Sequence, residues 1–204
     1  MTTYKGYDLL TYNPDREGTG KIRYTRLATA VDPHTGKRRV DDHAGVSIPR
    51  QSFRWTAMGL SEIAALRAFI AARKGKAVPF WTPTYSRDLV LSRDISAGDG
   101  TLVIKDTGYV KYLFQFISRQ YLAIINPDGS YITRQITSAV NNGNGTETLT
   151  LDSTISSALT ASATLVSFLT FCRLADDDVR MNWQTLELVT ADITFVEIPK
   201  ETPA

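Results

Sequence analysis

The sequence predicts a mainly β fold: a β-sandwich or barrel domain with one packed α-helix, interrupted by an inserted small β-barrel or sandwich domain. Three observations lead there. Helical periodicity is confined to a single stretch, residues 60–74. Short alternating segments bounded by Gly, Pro, Asp and Asn fill most of the rest. Between Arg93 and Ala163 the turns tighten to about one every eight to twelve residues, the rhythm of small all-β domains.

In chain order, Lys21 to Val31 alternates Ile22, Tyr24, Arg26 and Ala28 and runs into Asp32-Pro33-His34-Thr35-Gly36-Lys37, a turn sequence. Arg38 to Val46 is expected to return, and Gln51 to Thr56 to add a strand with Phe53 and Trp55 on one face. The helix, Leu60 to Lys74, places Leu60, Ile63, Leu66, Phe69 and Ile70 at three- and four-residue spacings among alanines. Ser61 is read as its N-cap, with Glu62 near the positive end of the dipole. Arg73 and Lys74 crowd the negative end, and Gly75 takes the left-handed cap.

Lys76 to Tyr85 holds Pro79 and Pro83 around Phe80-Trp81. Proline cannot donate to a ladder, so this is an edge strand or rigid extended loop. Further strands are expected at Arg87 to Ile95, Gly100 to Ile104, Tyr112 to Ile117, Tyr121 to Ile125, Tyr131 to Ile136 and Thr146 to Leu151. Asn126-Pro127-Asp128-Gly129 makes a hairpin turn. Thr164 to Ala175, Val179 to Trp183 and Ala191 to Ile198 close the chain. The expected organisation is a discontinuous domain, residues 1–92 and 164–204, with residues 93–163 inserted; Gly98, Gly100 and Ser156 to Ser162 mark the joints.

Composition narrows the function classes. An apolar fraction of 43% over 204 residues supports a real core. The 23 Lys and Arg against 21 Asp and Glu are interspersed, which is not the balance of a nucleic-acid binder, and the cluster Lys37-Arg38-Arg39 runs directly into Asp41 and Asp42. A single cysteine, Cys172, in an apolar run reads as a small core hydrophobe and excludes an intrachain disulfide. No stretch resembles a signal peptide or a membrane span, so the chain is expected to fold in a cytoplasm without a membrane anchor.

Chemistry-bearing patterns are sparse. Asp176-Asp177-Asp178 could hold a hard cation, but alternation along a strand splays such neighbours, and a solvated turn is the expectation. Glu17 to Ile22 lacks the glycine and the hydroxyl that a phosphate loop needs. Asp152 with Asp176, or Glu147 with Asp152, could be paired as in a glycosidase, yet no histidine, lysine or aromatic cluster accompanies them. No catalytic residue, metal site or cofactor is therefore expected. Tyr109, Tyr112, Phe114, Phe116, Tyr121 and Tyr131 all fall in the inserted domain; Phe114 and Phe116 are expected to fill its core with the tyrosines half buried at an interface, and the other reading, a sugar platform, lies behind a carbohydrate-binding module as the alternative function.

The segment Leu66-Arg67-Ala68-Phe69-Ile70-Ala71-Ala72-Arg73-Lys74-Gly75 followed by Lys76-Ala77-Val78-Pro79-Phe80-Trp81-Thr82-Pro83 feeds a helix ending in a basic residue and glycine into an aromatic strand. Together with Phe53-Arg54-Trp55 and the closing Phe195-Val196-Glu197-Ile198-Pro199, it resembles distal tail and tail-tip proteins of long-tailed bacteriophages, including those of phage-like gene transfer agents. The resemblance implies a non-enzymatic virion subunit, made in the bacterial host cytoplasm. It would form a homo-oligomeric ring, commonly of six copies, between the tail tube protein and the hub or tip proteins. The iron–sulfur cluster of some related tip proteins is not carried over, because Cys172 is the only cysteine. Phe80, Trp81 and Tyr85, rigid between prolines, are the expected subunit-contact residues. On that reading Trp81→Ala leaves a folded chain that fails to form rings.

Overall fold

A computed structural model describes residues 2–15, 21–31, 39–43 and 45–201. The Asp32–Lys37 turn, Lys37-Arg38 and the Glu17–Gly20 loop lie outside the described residues.

The fold is mainly β with one packed helix, as the sequence predicts. Along the chain come β1 (Thr3–Tyr4), β2 (Tyr7–Asp8), β3 (Lys21–Thr25), β4 (Ala28–Val31), β5 (Arg39–Asp42), β6 (Ile48–Met58), α1 (Leu60–Arg73), β7 (Phe80–Pro83) and β8 (Thr101–Lys105). Then follow the one-turn helix α2 (Tyr109–Tyr112), a 3-10 turn (Ile117–Arg119), β9 (Tyr121–Ile125), β10 (Tyr131–Asn141), β11 (Thr146–Leu151), β12 (Leu165–Leu174), β13 (Met181–Thr185) and β14 (Leu188–Glu197).

The chain divides into two compact units. Among the described residues, one comprises Trp81–Phe171 with residues 2–11; the other comprises the described residues of Tyr12–Phe80 and residues 172–201. Against the expected boundaries, residues 2–11, 81–92 and 164–171 group with the middle segment: Leu9 bridges Trp81, the Leu10 N–H donates to the Trp81 carbonyl at 2.9 Å, and Leu165 to Phe168 pair with β9.

In the first unit, antiparallel strands follow the order β8-β11-β10-β9-β12. Leu91 bridges Ile104 of β8 while Leu89 bridges Val166 of β12, so one short segment touches both margins and closes the order into a small barrel. β10 pairs with β9 over Tyr131–Gln135 and with β11 from Ile136 onward, with a register irregularity between Ile136 and Ser138. Inside lie Leu102, Ile104, Leu122, Ile124, Leu149 and Phe168 among others, each fully or almost fully buried. Burying each such side chain contributes about 1.5–3 kcal/mol.

Tyr112 to Ile117 is not the expected strand. Glu147 points into the barrel from β11 in phase with Leu149 and Leu151, and its carboxylate accepts N–H bonds from Tyr109 at 3.1 Å and Val110 at 2.9 Å. Those donors bend the segment into α2 behind Gly108, whose φ of 72° is left-handed. Arg87 to Ile95 likewise forms isolated bridges rather than a strand.

In the second unit, β6 pairs along its length with β14, β3 lies on the far side of β6, and the far side of β14 is shared by β13 and the last residues of β12. Helix α1 covers one face with buried Ile63, Leu66 and Phe69. Opposite them Trp55, Ile193 and Phe195 are buried, with the Trp55 and Phe195 rings 5.5 Å apart. The other face is polar, carrying the exposed pair Arg54–Asp192 at 2.9 Å.

The helix ends differ from expectation. Gly59, not Ser61, is the N-cap, and the Glu62 carboxylate accepts the Met58 N–H at 2.9 Å. At the other end Lys74 is left-handed at φ 50° and Gly75 follows at φ 64°, against which the Asp177 carboxylate packs. Arg73 is not a solvated dipole partner: it is buried, donates to the Pro79 carbonyl at 3.1 Å, and stacks on Phe69 and Phe80.

Candidate interaction surfaces

The expected contact residues are placed in the interior. Phe80 packs edge-on against Phe69 at 5.2 Å and Phe195 at 5.7 Å within the helix-bearing unit. Trp81 packs in the barrel unit against Tyr121 and Phe171, each 4.9 Å away, and its indole N–H donates to the Tyr4 carbonyl at 3.0 Å. Both side chains have no accessible surface (0% each), so neither has area to bury against a second molecule, and their role as contact anchors is corrected to that of core. The segment forms β7, which pairs with β12, and all four of its residues are buried. Tyr85 is half-buried, with its hydroxyl donating to the Leu10 carbonyl at 3.2 Å; burial, then the nearby Tyr131, hold its pKa well above the ordinary tyrosine value.

Of the carboxylates raised as candidates, Asp152, Asp177 and Glu147 accept bonds from the backbone. Asp177 accepts the Lys76 N–H at 2.9 Å, and Asp178 pairs with Arg180. Asp152 accepts from the Gln135 N–H at 3.1 Å, and Glu147 caps α2. Among the described residues no group of His, Cys, Asp and Glu is arranged to hold a metal ion. Cys172 is buried, as its apolar neighbours predict. Of the six aromatics of the imagined sugar platform, Tyr109 and Tyr121 are buried, whereas Tyr112 and Phe116 are exposed.

What the sequence pattern missed is at the margins of the helix-bearing unit. Ladder rows carry side-chain direction across a sheet, since directly opposed residues share a face. Ile22 opposes Gln51, which opposes Phe195; Met181 opposes Ala191, which opposes Trp55; and Trp183 opposes Val189, which opposes Ala57. Ile22, Tyr24, Met181 and Trp183 therefore project from the same face that α1 covers at the centre. At the two margins that face is only partly covered: Ile22 is 47%, Tyr24 66% and Trp183 48% exposed, with Arg67 of α1 over the Trp183 ring, 5.1 Å from its centroid. The alternation of Ile22 and Tyr24 was visible in the sequence, but not that β3 would be an edge.

Beyond β3, the hairpin β4–β5 stands with seven of its eight residues exposed, held by Ala28 opposite Asp42 and by the Arg26–Asp42 ion pair. Val31 and Val40 are exposed on it and Leu27 at its base. An isolated two-stranded hairpin is marginal in water, so such a hairpin gains from a packing partner. Leu27 also lines an apolar cleft of about 300 Å³ with Val46, Ile48, Val196, Ile198 and Pro199.

No helix among the described residues is long and apolar enough to cross a membrane. No protein-family model matches the chain, and the search of curated proteins returns no match.

Proposed function

We propose that the chain is a structural virion subunit of a phage tail tip or distal tail ring, assembling as a homo-oligomer, commonly six copies, between the tail tube and the host-contacting tip. The observation that carries this reading is the half-exposed apolar face at both margins of one sheet, together with the exposed hairpin β4–β5 that follows β3 in the chain. Unpaired strand edges with apolar side chains are hazards in a monomer and are consumed in an assembly. The resemblance of Leu66–Pro83, Phe53-Arg54-Trp55 and Phe195–Pro199 to tail proteins supplies the setting. Asp152, Asp177 and Glu147 are engaged by backbone amides and Asp178 by Arg180, which favours a non-enzymatic role.

Mass in solution by native mass spectrometry, followed by peptide mapping of purified particles, tests the proposal. Multimers in solution and the chain's peptides in intact virions are expected; a monomer absent from virions ends it. Exposed Tyr112 and Phe116 favour one second reading, a glycan contact by the barrel unit, for which glycan-array binding lost in Tyr112→Ala is the expected result.

A further inference from the structure

We infer that copies of this chain join edge to edge, β3 of one against β13 of the next, antiparallel, with Ile22 opposite Trp183 and Tyr24 opposite Met181. The inference rests on the assembly reading and names the partner of those margins as a second copy of this chain.

Four observations converge on it. Among the described residues, β3 pairs with β6 alone and β13 with β14 alone, so each presents a free row of N–H and C=O groups, and each is five residues long. Every neighbouring pair in the series β3-β6-β14-β13 is antiparallel. The two outer strands therefore run in opposite senses, and repeating the unit by rotation brings β13 alongside β3 in the same antiparallel relation.

Facial phase then selects the register. The open apolar residues of β3 are Ile22 and Tyr24, and those of β13 in phase with the sheet are Met181 and Trp183, because the register shifts between Trp183 and Thr185. Only Ile22 opposite Trp183 brings both pairs together on the helix-covered face. Arg23 then lies opposite Asn182 and Lys21 opposite Gln184, on the polar face.

Charge selects the partner. β3 carries Lys21 and Arg23 with no acid, whereas residues 176–187 hold Asp176, Asp177, Asp178 and Glu187 against Arg180 alone. A twofold β3–β3 contact centred on Arg23 would set that arginine against itself, which is destabilising, while β3 against β13 sets basic against acidic surroundings. The contact is head-to-tail, the kind that closes into a ring when the rotation per copy divides the circle.

The test uses the full chain with Arg23→Cys and Asn182→Cys together, oxidised and run on non-reducing gels. Within one copy these positions lie three strand spacings apart across the sheet and six residues apart along it, roughly 25 Å, beyond the reach of a disulfide. A ladder of covalent multimers is expected from the double variant, none from either single variant, and much less from Arg23→Cys with Gln184→Cys. Tyr24→Asp, at a 66% exposed position, is expected to keep the wild-type urea midpoint while weakening association at least about tenfold. A wild type that assembles while the double variant gives no ladder overturns the edge pairing and leaves the assembly reading standing. Covalent dimers from Arg23→Cys alone overturn it in favour of a twofold contact. A chain that stays monomeric, with no ladder, overturns both.

Discussion

Replacing Trp81 by alanine separates two roles that give opposite results. As a contact anchor Trp81 would be dispensable for folding; as the structure has it, the indole fills the space between Tyr4, Tyr121 and Phe171, at ring distances of 5.5, 4.9 and 4.9 Å, with no exposed surface. Truncating a buried Trp to Ala costs about 3–5 kcal/mol in transfer and cavity terms. Loss of the indole donor leaves the Tyr4 carbonyl short of a partner, at about 1 kcal/mol more. Set against a total of about 5–15 kcal/mol for a domain, that removes a third or more of the stability. With a urea m-value of about 2 kcal/mol/M, the midpoint by far-UV circular dichroism falls by about 2 M. Trp81→Phe, which keeps most of the ring and loses only the donor, is expected to fall by less than half as much. A Trp81→Ala chain with an unchanged midpoint and lost assembly would refute the packing argument and restore Trp81 as an interface residue.

Other outcomes follow from the same reading. Glu147→Leu leaves the Tyr109 and Val110 amides without their acceptor in the barrel interior; a loss of about 3 kcal/mol is expected, with faster hydrogen exchange at those two amides. Gly75→Ala places a methyl group against the Asp177 carboxylate at a left-handed position and costs about 1–2 kcal/mol. Asp177→Ala added to it is expected to cost less than the sum of the two, because the collision is then gone while the backbone strain remains. Tyr4, Tyr85 and Tyr109 all have pKa values raised, chiefly by burial. Their folded values lie above an unfolded value of about 10, so their contribution is full below that pH and is lost as pH rises beyond it. Alkaline unfolding of the barrel unit that tracks tyrosinate absorbance is the expected sign. Asp106 titrates below the ordinary aspartate value because the Gly108 N–H and Asn141 amide donate to it, and a carbon-detected NMR titration should place its midpoint under that of a model peptide.

The legible parts of this protein are those with local causes. Leu60 to Lys74 announced a helix through its spacing and alanine content, and the helix found ends one residue earlier. Asn126-Pro127-Asp128-Gly129 announced a turn, and Gly129 takes φ 83° with its N–H donating to the Asn126 carbonyl. Tyr121–Ile125 and Thr146–Leu151 are strands with the bounds their alternation predicts. Tyr112 to Ile117 misled because its alternating aromatics look like a strand while the cause of its bend, Glu147, is distant in sequence. Phe80 and Trp81 misled because rigidity between prolines is visible locally, whereas burial depends on β12, Tyr4 and Phe195 arriving from elsewhere.

The amino-acid order alone settled that this chain is mainly β, where its one long helix lies, and that its single cysteine sits in an apolar strand, since each depends on side-chain period and backbone preference over a few residues. Only the tertiary structure decided which strands are margins, which face Ile22 and Trp183 share, and which carboxylates are already bound to backbone amides. Strand order depends on contacts between segments more than a hundred residues apart, as β6 and β14 are, and no local pattern encodes such a partner.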